Sequence, residues 1–218
     1  MILFVFDIDD TISETALMHQ QFFIESLKEM GVQHMDTNFS NYKHHTDSYI
    51  ARCIYESDKK SFFASDKIKE YEQKVLERFR NNTFKEIPGA VNFIKKIRLR
   101  EEIAIAFATG AVRATAEYKL DKLGIPFLAD QLVASNDIED REGIVQKAIE
   151  QAKDLNQVES FDRILSFGDG IWDFKTAINL NLEFVGIGLK NRNALENAGS
   201  KLHFDDFQSN GMLENLLK

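Results

Sequence analysis

Met1-Ile2-Leu3-Phe4-Val5-Phe6-Asp7-Ile8-Asp9-Asp10-Thr11-Ile12 opens the chain. An apolar run stops abruptly at three carboxylates and a hydroxyl. It is too short to span a membrane. It is continuous rather than alternating, so it predicts a strand buried on both faces, as in a parallel sheet. Asp7 and Asp9 then stand where that strand ends, and open α/β sheets bind ligands at the carboxyl ends of their strands. Carboxylates this close repel unless a cation or a proton lies between them. An acidic turn after a strand would read the same way locally, so the rest of the chain decides.

The 218 residues suffice for one large domain, or for a core with a smaller insert. The formal charge is −8 and no basic stripe is visible, which argues against a nucleic-acid surface and an anionic membrane surface. It leaves room for a small phosphorylated ligand, because a bound cation reverses the local field. Cys53 is the single cysteine; it excludes an intramolecular disulfide and suits a reducing cytosol, so a cytoplasmic location is expected. The N-terminus lacks the basic segment of a secretory signal.

From Ser13 to about Arg80 the pattern is helical. Ala16, His19 or Gln20, Phe23, Leu27 and Met30 recur at helical spacing, and Gly31 stands where that helix would end. Residues 32–45 are polar and turn-like. Thr46-Asp47-Ser48 can cap a helix carrying Ile50, Cys53 and Ile54, and Ser65 or Asp66 starts another with Ile68, Tyr71, Val75 and Phe79 on one face. From Pro88, which fits the first position of a helix, the rhythm changes. A helix with Val91, Ile94 and Ile97 inward precedes a strand at Ile103 to Ala108 that ends at Thr109-Gly110. A helix with Val112, Ala116, Leu120 and Leu123 follows, then strands at 131–134, 164–167 and 184–187, separated by helices at 141–153 and 173–180. Strand alternating with helix implies a parallel sheet. The expected organisation is an α/β core of residues 1–12 and 86–218, with a helical cap of residues 13–85 inserted after the first strand.

Four chemical features therefore fall at strand ends: the Asp7/Asp9 pair, Thr109, a basic residue within 141–147, and Asp169 with Asp173. Gly168-Asp169-Gly170-Ile171-Trp172-Asp173 places one carboxylate in a glycine-flanked turn and the next about one helical turn on. Carboxylates gathered without histidine or cysteine are hard-oxygen ligands that suit Mg²⁺. Thr109, with the backbone N–H groups of Gly110 and Ala111 before a helix start, offers an anion cradle.

In that order, Asp7-x-Asp9-x-Thr11, Thr109-Gly110, a basic residue and Gly168-Asp169-x-x-x-Asp173 resemble the four motifs of the haloacid dehalogenase-like hydrolases. The insert after the first strand is similar to that of the phosphoglycolate phosphatase and β-phosphoglucomutase branch, with its Rossmann-like core and helical cap. The resemblance implies a phosphatase acting on a small phosphorylated metabolite, as a monomer or homodimer. Asp7 would be the nucleophile that forms an aspartyl-phosphate. Asp9 would protonate the leaving oxygen and then activate water. Asp7, the backbone carbonyl of Asp9, Asp169 and Asp173 would hold Mg²⁺, and Thr109, Gly110 and the basic residue would bind phosphate. The family has a lysine at the basic position. Here Arg141 aligns with it and is favoured, while Lys147 lies almost two turns later.

Two alternatives stay open. A sugar phosphomutase of the same superfamily typically has an aliphatic residue where Thr11 stands, yet His19 falls where that branch has a cap histidine. A phospho-accepting receiver domain also gathers acids, a threonine and a lysine, but it would carry neither the acid two residues after the nucleophile nor the helical insert. Trp172 either touches substrate or seals the cap; Thr46-Asp47 either caps a helix or faces the site. Phe62-Phe63 is expected in the core of the cap, His44 and His45 in a loop, and Asp205-Asp206 at the surface.

Overall fold

Leu3 and Val5 point to one face of the first strand, β1 (Ile2–Phe6), and Phe4 and Phe6 to the other, and both faces are covered. The computed structural model describes residues 1–136 and 138–218. Among them, β1 is joined by β2 (Ile103–Ala108), β3 (Leu132–Val133), β4 (Arg163–Gly168), β5 (Glu183–Ile187) and β6 (His203–Phe204) in one sheet of order β3-β2-β1-β4-β5-β6. All five pairings are parallel. Phe6 lies in register with Phe107 on one side and Phe167 on the other. The rings of Phe6 and Phe167 stack at 4.4 Å.

The helices are α1 (Ala16–Glu29), α2 (Asp47–Lys59), α3 (Ser65–Arg80), α4 (Ala90–Ile97), α5 (Arg113–Leu123), α6 (Arg141–Asn156), α7 (Ile171–Asn179), α8 (Arg192–Asn197) and α9 (Met212–Leu216). On the phenylalanine face of the sheet, Phe93, Ile94 and Ile97 of α4 and Leu213 and Leu216 of α9 close the core. On the opposite face, Ile144, Val145 and Ala148 of α6 pack on Leu3, Val5 and Ala106. This two-sided cover is why β1 is apolar throughout. After β1 the chain builds outward through β2 and β3, then returns to build β4, β5 and β6 on the other side. The direction reverses between β1 and β4, the switch point where open α/β sheets leave a crevice.

Helices α1, α2 and α3 share a separate apolar cluster that includes Phe22, Phe23, Leu27, Tyr71 and Phe79. The chain leaves and re-enters the sheet at adjacent points. Ser13 bridges Glu86, and the Ile87 amide donates to the Ile12 carbonyl at 2.7 Å. No helix among the described residues is long and apolar enough to cross a membrane.

Several local expectations are corrected. Helix α4 begins at Ala90, not at Pro88, because the Pro88 carbonyl accepts from the Phe207 amide at 3.0 Å and Gly89 turns with φ +81. Phe93 is buried beside Ile94 and Ile97, and Val91 packs against the same core while only partly buried. Of Phe62-Phe63 only Phe63 is buried; Phe62 is 78% exposed. The strand expected over 131–134 is confined to Leu132–Val133. Helices α8 and α9 and strand β6 have no counterpart in the sequence reading, being too short to establish a period.

Candidate active site

Asp7 follows the last residue of β1, and its amide donates to the Phe167 carbonyl at 3.0 Å, which holds it at the end of the ladder. Beyond it the chain coils tightly. Ile8 and Ile12 are fully buried, the Ile12 amide donates to the Ile8 carbonyl at 2.9 Å, and Asp10 takes a left-handed φ of 54°. The Thr11 hydroxyl points back at the Asp7 carboxylate, at 3.4 Å. At the end of β4, across the switch point, Asp169 accepts from Asn191 Nδ2 at 3.0 Å. Asp173, in the first turn of α7, accepts from the Gly170 amide at 3.1 Å. A Cβ on Gly168 would stand 2.4 Å from Asp173 Cβ, so only glycine lets Asp173 tuck in there.

Oxygens of Asp7, Asp169 and Asp173, all buried, lie within 4.8 Å of one another. Burial, then repulsion from Asp173, pushes the Asp7 carboxyl up to about 8, even though Arg141 pulls it down. Burial, then Asp173 and Asp7, pushes Asp169 up to about 9. Three hard-oxygen groups this crowded suit a divalent cation, and the donor set fits Mg²⁺.

Arg141, the first residue of α6, is buried, and its Nη2 donates to Asp7 Oδ1 at 3.1 Å and to Asp173 Oδ1. Burial opposes its charge, but Asp173 and Asp7 outweigh burial and hold it protonated. Lys147 faces outward, half exposed, toward Glu150. Of the two candidates for the basic position, Arg141 is the one that reaches the carboxylates.

Thr109 and Gly110 line the same cavity as Asp7. The anion cradle expected here is partly filled from within. The Ala111 amide donates to Thr109 Oγ1 at 3.1 Å. The next three amides, at the start of α5, meet Asp47 Oδ2 at 3.2 Å, Asn136 Oδ1 at 2.6 Å and Glu72 Oε1 at 2.8 Å. Carboxylates of the helical segment thus occupy a helix N-terminus that favours anions. Asp47 therefore does more than start α2, and Thr46 makes no side-chain cap. The Thr46 hydroxyl donates to the Glu139 carbonyl at 2.6 Å.

Asp9 does not join the acid cluster. Its Oδ1 accepts from Thr15 Oγ1 at 2.5 Å and from Lys119 Nζ at 2.6 Å. Burial raises its carboxyl, but the Lys119 ammonium, by charge and by hydrogen bond, with the Thr15 hydroxyl beside it, overcomes this and brings it to about 2. Lys119 is fully buried, lies 4.4 Å above the Phe79 ring, and approaches His19 Nδ1 at 3.0 Å. His19 Nε2 in turn meets Asp47 Oδ2 at 2.8 Å. An ammonium only donates, so Nδ1 accepts and Nε2–H donates to Asp47. The sequence reading did not single out Lys119, though a signal was there: Lys119 lies three residues after Ala116 and beside Leu120, on the inward face of α5.

His45 stacks on Trp172 at 4.9 Å, and both line the site cavity of about 410 Å³. His45 lies in the loop expected of it and forms part of the cavity wall.

Residues 4–187 match the family described as haloacid dehalogenase-like hydrolase. No curated protein matches the sequence. Among solved structures, CbbY from Rhodobacter sphaeroides in complex with phosphate is 17% identical, with a TM-score of 0.75 and 99% of each chain covered. A mutant of that protein in complex with xylulose-(1,5)bisphosphate is 16% identical, with a TM-score of 0.69 and 96% of each chain covered. A structure described as a predicted phosphoglycolate phosphatase from Haemophilus somnus is 15% identical, with a TM-score of 0.66, covering 98% of this chain and 97% of that one. At these identities the likeness is one of fold.

Proposed function

The chain belongs to the haloacid dehalogenase-like hydrolase family, and on that premise we propose that it is a Mg²⁺-dependent phosphatase of a small phosphate monoester, working through an aspartyl-phosphate. The observation that carries this reading is the buried Arg141 guanidinium held between Asp7 and Asp173, with Asp169 alongside, at the sheet's switch point. A strand-end carboxylate and a fixed cation over it are what phosphoryl transfer requires: an attacking oxygen and a clamp for the anion.

In this reading an Asp7 carboxylate oxygen attacks phosphorus and the ester oxygen leaves. Asp9 gives that oxygen a proton, then takes one from the water that breaks the aspartyl-phosphate. In its present pairing Asp9 is ionised, the form the second step uses. Serving the first step requires its carboxyl to turn away from Lys119 and carry a proton. Thr109 and Arg141 hold the phosphoryl oxygens. Asp7, Asp169 and Asp173, with the backbone carbonyl of Asp9, would hold Mg²⁺, which when bound neutralises the gathered charge and polarises the phosphoryl group.

Residues 13–85 act in this reading as a cap over a core of residues 1–12 and 86–218. The adjacent chain crossings at Ser13 and Glu86 and the separate apolar cluster of α1, α2 and α3 support that division. Such a lid excludes water and commits the substrate. A sugar phosphomutase would share the covalent intermediate and differ in passing the phosphoryl group to a second hydroxyl.

The test is acid quench followed by intact-protein mass, with p-nitrophenyl phosphate and Mg²⁺. Asp9→Asn keeps the nucleophile and the backbone carbonyl, and nitrophenol leaves without help. One added phosphoryl group should therefore accumulate while turnover falls by about 10²–10⁴-fold. Asp7→Asn should neither label nor turn over. Labelling that persists in Asp7→Asn would reverse the two roles, and turnover retained after EDTA dialysis would remove the metal.

A further inference from the structure

We propose that the substrate carries a single phosphate on an apolar, ring-bearing leaving group, rather than on a polyol or beside a second anionic group. This rests on the phosphatase reading and concerns the far end of the same cavity. At about 410 Å³ the cavity holds considerably more than a phosphate. Beyond Asp7, Thr109 and Arg141, its walls come mainly from the helical segment and from α7; Leu17, Phe23, Phe39, Ile50 and Trp172 give them a largely apolar surface, interrupted by Gln20, Thr37 and His45. Leu17 lines the cavity while 70% exposed, so the protein leaves an apolar side chain uncovered beside its own site. Trp172 already supports one ring, that of His45, in a stacked geometry.

The polar groups around this end offer a polyol little. Ser40 Oγ and the Ser40 amide both donate to Asn38 Oδ1, at 2.6 and 3.3 Å, so these groups are spent on the local turn. A hydroxyl-rich leaving group would find Gln20 and Thr37 but would lose water without recovering most of its hydrogen bonds, and unpaired polar groups are costly to bury.

A second anion fares worse. Among the described residues that line the cavity, the lysines and arginines are Arg141 and Lys190. In the phosphatase reading Arg141 is taken by the first phosphate, and Lys190 pairs with Asp10 at 3.2 Å. Asp9 and Asp47 line the same space and would repel added negative charge. Lys43 and Lys175 line a neighbouring cleft of about 280 Å³ that shares Ser40, His45, Arg141 and Trp172 with the first, and both lysines are exposed to water.

The experiment is calorimetric titration of the full chain with Mg²⁺ present, at fixed ionic strength. The probes are inorganic phosphate, 2-phenylethylphosphonate, 2,3-dihydroxypropylphosphonate and propane-1,3-bisphosphonate. The phenylethyl compound should bind at least about tenfold tighter than the dihydroxypropyl compound, the scale at which a pocket separates apolar from mismatched groups. The bisphosphonate should be the weakest. Leu17→Lys changes an exposed side chain and should narrow the apolar preference while tightening the bisphosphonate several-fold. Phosphate binding with an equal or reversed ranking, or a ranking that Leu17→Lys leaves untouched, overturns the inference and spares the phosphatase reading. Failure of every probe, inorganic phosphate included, defeats both.

Discussion

Lys119 Nζ stands 2.6 Å from Asp9 Oδ1, and the lysine side chain has no exposed surface. The pair joins residues 110 positions apart, one on a loop after β1 and one inside α5. A buried ammonium is tolerated only with partners, and Asp9, His19 and the Phe79 face supply them. Removing one member of such a pair leaves the other charge buried alone.

Lys119→Met keeps the side-chain bulk and removes the charge. It should destabilise the fold by about 3 kcal/mol, the low end for breaking a buried ion pair. Asp9→Asn should cost less when Lys119 is already methionine. Urea unfolding of the two single variants and the double variant measures this coupling. Strict additivity, within about 0.5 kcal/mol, would mean that the pair carries no net interaction.

Arg141→Ala should slow turnover by about 10²-fold or more, the usual loss for one electrostatic donor to a phosphoryl or oxyanion group. Lys147 is half exposed and, among the described residues, pairs with Glu150, so Lys147→Ala should stay close to wild type. Steady-state kcat for both variants with one substrate decides. A larger loss in Lys147→Ala would move the basic position away from Arg141.

Gly110 packs where the loop before α2 meets the end of the sheet. A Cβ there would come within 2.6 Å of the His45 carbonyl oxygen and 2.7 Å of an Arg141 guanidinium nitrogen. Nearby, the Asp47 amide donates to the Gly110 carbonyl at 2.8 Å. Gly110→Ala should push this loop off the site, raising KM and lowering kcat while thermal stability shifts little. Wild-type kinetics would show that the loop yields at no cost to the chemistry.

The acid cluster links pH to metal. Asp7 and Asp169 are raised from an ordinary 3.8 to about 8 and about 9. Groups raised in the folded state bind extra protons there, so their contribution to stability is complete below about pH 4 and is lost as pH rises through 8 and 9. With EDTA, the melting temperature should fall between pH 6 and pH 9. If Mg²⁺ binds there as proposed, it would displace those protons, and the fall in its presence should be smaller. Calorimetry under the two conditions measures the difference. Parallel slopes would separate Asp7 and Asp169 from the metal.

Much of this was legible in the sequence because it depends on neighbours along the chain. Ile2 to Phe6 and Ile103 to Ala108 read as buried strands because every position is apolar, and the acids and Thr109 read as strand-end groups because each apolar run stops at them. The helical segment after β1 announced itself through residues three and four apart. Tertiary structure alone decided what contact across long separations decides. It turned Asp9 toward Lys119 and away from Asp7, filled the amides of α5 with Asp47 and Glu72, and stacked His45 on Trp172. It chose Arg141 over Lys147 to reach the acids because the first turn of α6 faces the crevice and the second lysine-bearing turn faces water. A side chain's type is local information. The direction it points, and the charge it meets there, belong to the packing of helices that the sequence places scores of residues apart.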